Sequence, residues 1–287
     1  MYYFFALLLH IISKYTNIFL MTILEIFGLF LALFVGISLG LLGSGGSILS
    51  MPVLVYVLQI EPVMATTYSL FVVGSTALVG GVQKVKQKLV DFQKVILFGI
   101  PTVVAVFATR FFVMPNIPNI IYFTSSISIL KSVLVLMVFA IVMIFASFKM
   151  IRPIPIDEVN STADNNYFKI IISALFIGVI AGFVGAGGGF LIIPALLFLT
   201  NTPMKIAVGT SLFIVAIQSL LGFLGDYNSF ILINWPLLLK FTGCAIVGLF
   251  IGNRISLHIA PNKLKVYFGY FILCMGIYII IKEVVMA

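Results

Sequence analysis

The sequence predicts an all-α integral membrane protein. It is expected to be an inverted repeat of two five-segment helical halves, with glycine-broken helices meeting near mid-membrane. Three observations lead there: an apolar composition, an internal repeat at constant offset, and loop charges that reverse between equivalent positions.

Of 287 residues, 62% are hydrophobic and 8% charged, whereas a soluble domain carries roughly 25% charged residues. Apolar runs at 26–42, 66–82, 95–113 and 130–148 approach the ~20 residues that a spanning helix needs. The alternating strands of a membrane barrel are not seen. The net charge of +8 is spread over short loops between apolar runs, so it reports membrane topology and not a nucleic-acid partner. Cys244 and Cys274 lie within apolar helices without metal-ligand spacing and read as small core residues.

Residues 1–24 form an N-terminal apolar segment, either an extra helix or a stretch ahead of a true start at Met21. They lack the basic start and small-residue cleavage site of a secretory signal.

Sliding the chain against itself by 142 positions aligns Gly36, Gly40, Gly43, Gly45, Gly46 and Pro52 with Gly178, Gly182, Gly185, Gly187, Gly188 and Pro194. The match continues without a gap: Ala65, Ser69, Leu70 and Phe71 fall on Ala207, Ser211, Leu212 and Phe213, and Gly80 falls on Gly222. A whole multi-helix unit is duplicated. The first transmembrane repeat is assigned to 25–149, a cytoplasmic linker to 150–166, where Pro, Asn and acidic residues collect, and the second repeat to 167–287.

Five segments are expected per half: 25–42, 46–59, 62–82, 94–113 and 127–149, then 168–185, 189–200, 204–224, 236–253 and 265–282. The loop at 83–94 holds Lys84, Lys86, Lys88 and Lys94 against Asp91, while the equivalent GDYNSFILINWP has no basic residue. The next loop reverses this: MPNIPNIIYFTSS is uncharged, and its counterpart carries Arg254, Lys263 and Lys265. Equivalent loops are therefore expected on opposite sides, with 83–94 and the linker cytoplasmic. Arg110, Lys131 and Lys240 sit near outer ends, either snorkelling to the interface or drawing an anion to the outer mouth.

GLLGSGGSILSMP and GFVGAGGGFLIIP are poor helices, since glycine costs about 1 kcal/mol relative to alanine in a helix interior. Close packing accounts for the Gly36/Gly40 and Gly178/Gly182 pairs. It does not account for adjacent glycines, which point to different sides, so an unwound turn is expected. The 12 to 14 residues after each break reach only ~20 Å of a ~30 Å hydrocarbon core. Irregular backbone at that depth, in matching halves, points to a transport site.

The expected site is a small-anion site. Helix-start N–H groups and the dipole favour negative charge at Gly43, Gly45, Gly46, Gly185, Gly187, Gly188 and Gly189. Hydroxyls of Ser44, Ser47, Thr67, Ser69, Thr210 and Ser211 add donors, or bond back to a helix carbonyl. With no acidic residue in the segments flanking the breaks, neutral donors are expected, not a buried salt bridge. Asp226 and Glu25 read either as proton carriers or as solvated helix-end groups.

Neither cluster continues as a phosphate-binding loop or dinucleotide fingerprint. His10 and His258 are far apart, and no catalytic or metal constellation assembles by spacing. No enzyme activity and no cofactor are expected.

The GxxxGxxGxGG pattern followed by a proline in each half, the ATTYSLF and AVGTSLF stretches, and the late GNRIS resemble the TauE/SafE sulfite exporter family across about 25–283. The resemblance implies a multi-pass carrier of the cell inner membrane for sulfite, sulfoacetate or related sulfur-containing or organic anions, coupled to a proton or sodium gradient. Its partners would be a small anionic substrate, the coupling ion and the lipid bilayer. Ser47 stands where the second half has Gly189, so the half-sites are expected to be unequal. The rival class is a non-transporting assembly factor or enzyme subunit that docks through the linker and basic loops.

Overall fold

The structure, a computed structural model, describes residues 23–124, 127–151, 167–185, 187–256 and 261–286. The expectations for the N-terminal segment before residue 23, for most of the linker and for His258 lie outside the described residues.

Among the described residues, ten main helical segments follow one another, with a short 3-10 run at Tyr227–Leu232 between the eighth and ninth. They are α1 (Ile23–Leu42), a composite α2 (Gly43–Val57), α3 (Pro62–Lys86), α4 (Phe92–Asn116), α5 (Lys131–Ile151), α6 (Tyr167–Val184), α7 (Gly189–Thr200), α8 (Met204–Gly225), α9 (Trp235–Ile255) and α10 (Pro261–Met286). Among the described residues, seven helices are long and apolar enough to cross a membrane. Helix starts are set locally. The Glu61 carboxylate accepts from Met64 N at 3.0 Å ahead of Pro62, Asp91 accepts from Gln93 N and Lys94 N, and Asn234 accepts from Leu237 N at 3.2 Å. Each satisfies backbone donors that the first turn leaves free.

The contacts between halves are reciprocal. Gly36 and Gly40 of α1 press against the backbone of α9 at Ala245, Leu249 and Gly252, and Gly178 and Gly182 of α6 press against α4 at Thr102, Ala105, Val106 and Thr109. Absence of a side chain at these four positions lets the helices close on one another, the packing mode that dispersion rewards in lipid. Helix α3 lies on its equivalent α8 in antiparallel sense, with Gly222 near Leu70, Gly74 near Leu220 and Gly81 near Phe213. Helices α5 and α10 pack together, and α2 meets α7. At the centre, α3 and α8 are the most enclosed of the spanning helices.

Two expectations change. The stretch assigned to a helix from 127 begins as β2 (Ile127–Leu130), which pairs antiparallel with β1 (Ile120–Thr124), and α5 starts at Lys131. Isoleucine and aromatic side chains favour extended backbone here. The first glycine break is also not unwound. It tightens into a 3-10 run, Gly43–Leu49, followed by an α turn Ser50–Pro52 and a π stretch Val53–Val57. Only the second break, around Gly185, Gly187 and Gly188, leaves the helix.

Candidate functional site

The two breaks touch. Ser44 Oγ donates to Gly189 O at 3.0 Å, and a Cβ on Gly189 would collide with Ser44. Gly46 is likewise pressed on the Ser38 backbone. Packing therefore explains part of the adjacent-glycine pattern that the sequence reading assigned to unwinding. Adjacent glycines do face different sides: Gly46 and Gly189 meet backbone, whereas Gly187 meets the side chains of Ser219, Val73 and Val215 and Gly188 meets Ala181.

Gly43 and Gly185 hold the equivalent corners, with φ of 69° and 73°. Side chains rarely enter this left-handed region, and it turns the chain out of the preceding helix. What stands against each corner differs. A Cβ on Gly43 would meet Val208 Cγ1 at 2.6 Å, whereas one on Gly185 would clash with Thr66 and with Arg110 Nη2.

Arg110 is the largest fully buried side chain among the described residues, 1% exposed. It sits on the π stretch Thr109–Val113 of α4, a local widening that often marks functional positions. Its Nη1 donates to Asp226 Oδ2 at 2.9 Å and to Thr66 Oγ1 at 2.8 Å, and Thr67 Oγ1 donates to the same Asp226 oxygen at 2.8 Å. Thr66 Oγ1 also donates to Val63 O at 2.6 Å. The Asp226 side chain is 8% exposed. Arg110 Nε and Nη2 are buried without a partner among the described residues, and Nη2 is the atom beside Gly185.

These facts correct three expectations. Arg110 does not snorkel, Asp226 is not a solvated loop acid, and the second break is not lined by neutral groups alone. A guanidinium in hydrocarbon costs about 2.5–3.5 kcal/mol on insertion scales, and neutralisation by Asp226 offsets that. Lys240 is exposed and paired with Glu25 at 3.0 Å. Lys131 Nζ donates to Met114 O.

Below this cluster lie Gln218 and Ser219 of α8, both fully buried. Gln218 Nε2 donates to Gly187 O, while its Oε1 has no partner among the described residues. Ser219 Oγ, also unpartnered, lies 2.7 Å from where a Cβ on Gly187 would stand. Ser47 Oγ at the first break is in the same condition.

The remaining sequence candidates are placed as follows. Thr67 belongs to the Arg110 cluster. Ser69 Oγ is hydrogen-bonded to Ser50 Oγ, Ser211 Oγ donates to Val208 O at 2.9 Å, and Thr210 Oγ1 accepts from Asp91 N at 3.0 Å. Gly45 and Gly46 continue the 3-10 run, and Gly187 and Gly188 have φ of 68° and 60°.

Residues 28–279 match the family described as Sulfite exporter TauE/SafE. The chain belongs to this family. Two probable membrane transporter proteins, from Xylella fastidiosa strains Temecula1 and 9a5c, are each 30% identical over 253 residues, covering 86% of this chain and 91% of their own length. A probable membrane transporter protein of Methanocaldococcus jannaschii is 25% identical over 268 residues, covering 88% of this chain and 95% of its own. No solved structure matches the chain significantly. This TauE/SafE protein is thus a multi-pass membrane protein of a transporter family.

Sequence reasoning missed Thr66, Gln218 and Ser219 as candidates for the site, and offered Arg110 only as a snorkelling residue or as one drawing an anion to the outer mouth. The available signal was a charge inside the apolar run 95–113 and an acid at the end of another, Asp226; nothing in the sequence joins them.

Proposed function

We propose that this protein is a secondary carrier of small oxyanions, among which sulfite and sulfoacetate are the first to test. It is a carrier and performs no covalent step. One observation carries the reading: a fully buried guanidinium has two donors, Nε and Nη2, unpartnered among the described residues, and Nη2 lies at the corner of a broken helix. Parallel donors of this kind match two oxygens on one carboxylate or sulfur centre. The α7 N-terminus at Gly188 and Gly189 adds the positive end of a short helix dipole.

Around Arg110 the site takes in Thr67, Gly185, Gly187, Gly188 and Gly189 from the second-break side, and Gly43, Ser44, Gly45, Gly46 and Ser47 from the first. Ser69, Thr210 and Ser211, bonded to Ser50, Asp91 N and Val208 O, complete the proposed set. The halves, 25–149 and 167–287, form an inverted repeat about a pseudo-two-fold axis in the membrane plane. The reciprocal packing of α1 on α9 and α4 on α6, with α3 antiparallel to α8, supports this. Lysines at 84, 86, 88 and 94 put that loop, and the linker, in the cytoplasm of a cell with this protein in its inner membrane. Arg110 and Asp226 then face the outer side. Alternating access rocks the halves about the crossed breaks, driven by a coupling ion.

Uptake of sulfite and sulfoacetate into proteoliposomes tests the reading. The native protein should exceed protein-free liposomes for at least one of them, and Arg110→Gln should fall to background. No uptake of either anion, or equal uptake by R110Q, would overturn it.

A further inference from the structure

Asp226 and the open edge of Arg110 share one charge. The guanidinium and the carboxylate neutralise each other through Nη1 at 2.9 Å. Lys131 also lies in electrostatic reach of both members of the pair and of Glu61, which is opposite to it in sign. The Arg110–Asp226 pair itself carries no net charge when nothing is bound. An anion arriving on Nε and Nη2 adds negative charge beside Asp226, in a place from which water is largely excluded. Charge there is screened far less than in solvent, so two anions on one guanidinium repel strongly. A proton on Asp226 removes the conflict: the carboxyl becomes neutral, and Arg110 is left with the substrate as its only counter-ion.

Resting on the carrier reading above, we propose that Asp226 is the proton-coupling group, taking up one proton with each substrate anion. Both hydrogen bonds to the carboxylate, from Arg110 Nη1 and Thr67 Oγ1, fall on Oδ2 among the described residues. The proton, drawn from water on the side to which the site is open, goes to Oδ1. Release of the anion restores the Arg110–Asp226 pair, and the proton leaves with it. The pair spans the halves, since Arg110 belongs to α4 and Asp226 caps α8. Its charge state is thereby tied to the surfaces that must separate for access. Sodium is not favoured at this position, because Arg110 already holds a positive charge against Asp226 Oδ2 and Thr66 Oγ1, and a second cation there would be repelled.

The test is proton uptake into proteoliposomes holding a trapped pH dye, with sulfoacetate and sulfite as probes. Sulfoacetate stays fully ionised near neutral pH, since ordinary carboxyls titrate well below it, so protons entering with it are carried by the protein. Native protein should alkalinise the outside and acidify the lumen in step with anion entry, and an inward proton gradient should drive accumulation. In Asp226→Asn the gradient-driven part should be lost, and any remaining exchange should no longer follow pH. Anion flux without proton uptake, or gradient-driven accumulation persisting in D226N, overturns the coupling alone. Should D226N not fold, native protein with sulfoacetate decides the matter. If only sulfite moves, D226N distinguishes a proton carried by Asp226 from one carried by bisulfite. Absence of all flux overturns the carrier reading instead.

Discussion

The two glycine breaks are built on the same backbone plan and differ in everything placed around it. Gly43 and Gly185 turn the chain with nearly equal positive φ. Against Gly43 stands Val208; against Gly185 stands its repeat equivalent, Thr66, with Arg110 beside it. The positions equivalent to Arg110 and Asp226 are Gly252 and Lys84. At that end a neutral bond joins the halves one residue away, Asn253 Nδ2 donating to Gln83 Oε1 at 2.7 Å. The first break winds into 3-10 geometry, while the second stays open. The glycine corner is thus kept in both repeats, while the residues around it differ: a buried ion pair stands beside the second, where the first has Gly252 and Lys84 at the equivalent positions. For the proposed anion carrier one strong anion contact on the path suffices, since a second buried guanidinium would hold substrate too tightly to release it.

The largest effect that would break this comparison is at Arg110. Arg110→Leu leaves Asp226 buried without its counter-ion and should destabilise the protein by about 3–5 kcal/mol, read by thermal or denaturant unfolding in detergent. The double change Arg110→Leu with Asp226→Leu should recover much of that stability without recovering anion-induced stabilisation. Recovery of both would remove Arg110 from the site.

Next come the corners. Gly185→Ala should cost more than Gly43→Ala. Both pay the left-handed penalty of about 1–2 kcal/mol, but the new Cβ at Gly185 stands 2.7 Å from Thr66 Cα, which is backbone and cannot yield. At Gly43 the obstacle is a Val208 methyl, which can. Equal losses would mean that the two breaks are equally constrained.

Gln83→Leu probes the neutral end. It leaves a second polar atom of Asn253 unpaired, its Oδ1 already having no partner among the described residues. A loss of about 1–3 kcal/mol is expected, below that of Arg110→Leu, with anion affinity little changed. An affinity loss as large as that of R110Q would place substrate contacts at both ends.

The smallest effect is expected at Ser211→Ala. Its hydroxyl donates to Val208 O within its own helix, so about 0.5–1.5 kcal/mol of stability is at stake and anion binding should hardly move. Ser69→Ala, which breaks the contact with Ser50 between α3 and α2, should do more. Calorimetric titration of both variants checks the order.

Much of the architecture was legible in advance. Apolar runs, the constant offset of the repeat and the clustered glycines located the helices and both breaks. Each is a property of neighbouring residues: a long apolar run has few alternatives to a helix in lipid, and adjacent glycines weaken a helix wherever it lies. The β-hairpin after α4 and the 3-10 winding of the first break were not legible, because short segments of mixed propensity take the conformation their surroundings impose. The polar heart of the candidate site was decided later still. Arg110 and Asp226 are 116 positions apart, and a lone charge in an apolar run reads the same whether it snorkels or is paired. Sequence alone determined where the chain turns at glycine, Gly43 and Gly185; whether the turn opens the helix or winds it into 3-10 geometry was not in it. Only the packing of α4 against α8 decided that a cation and an acid from different halves would meet beside one break, because burying either requires the other within hydrogen-bonding distance.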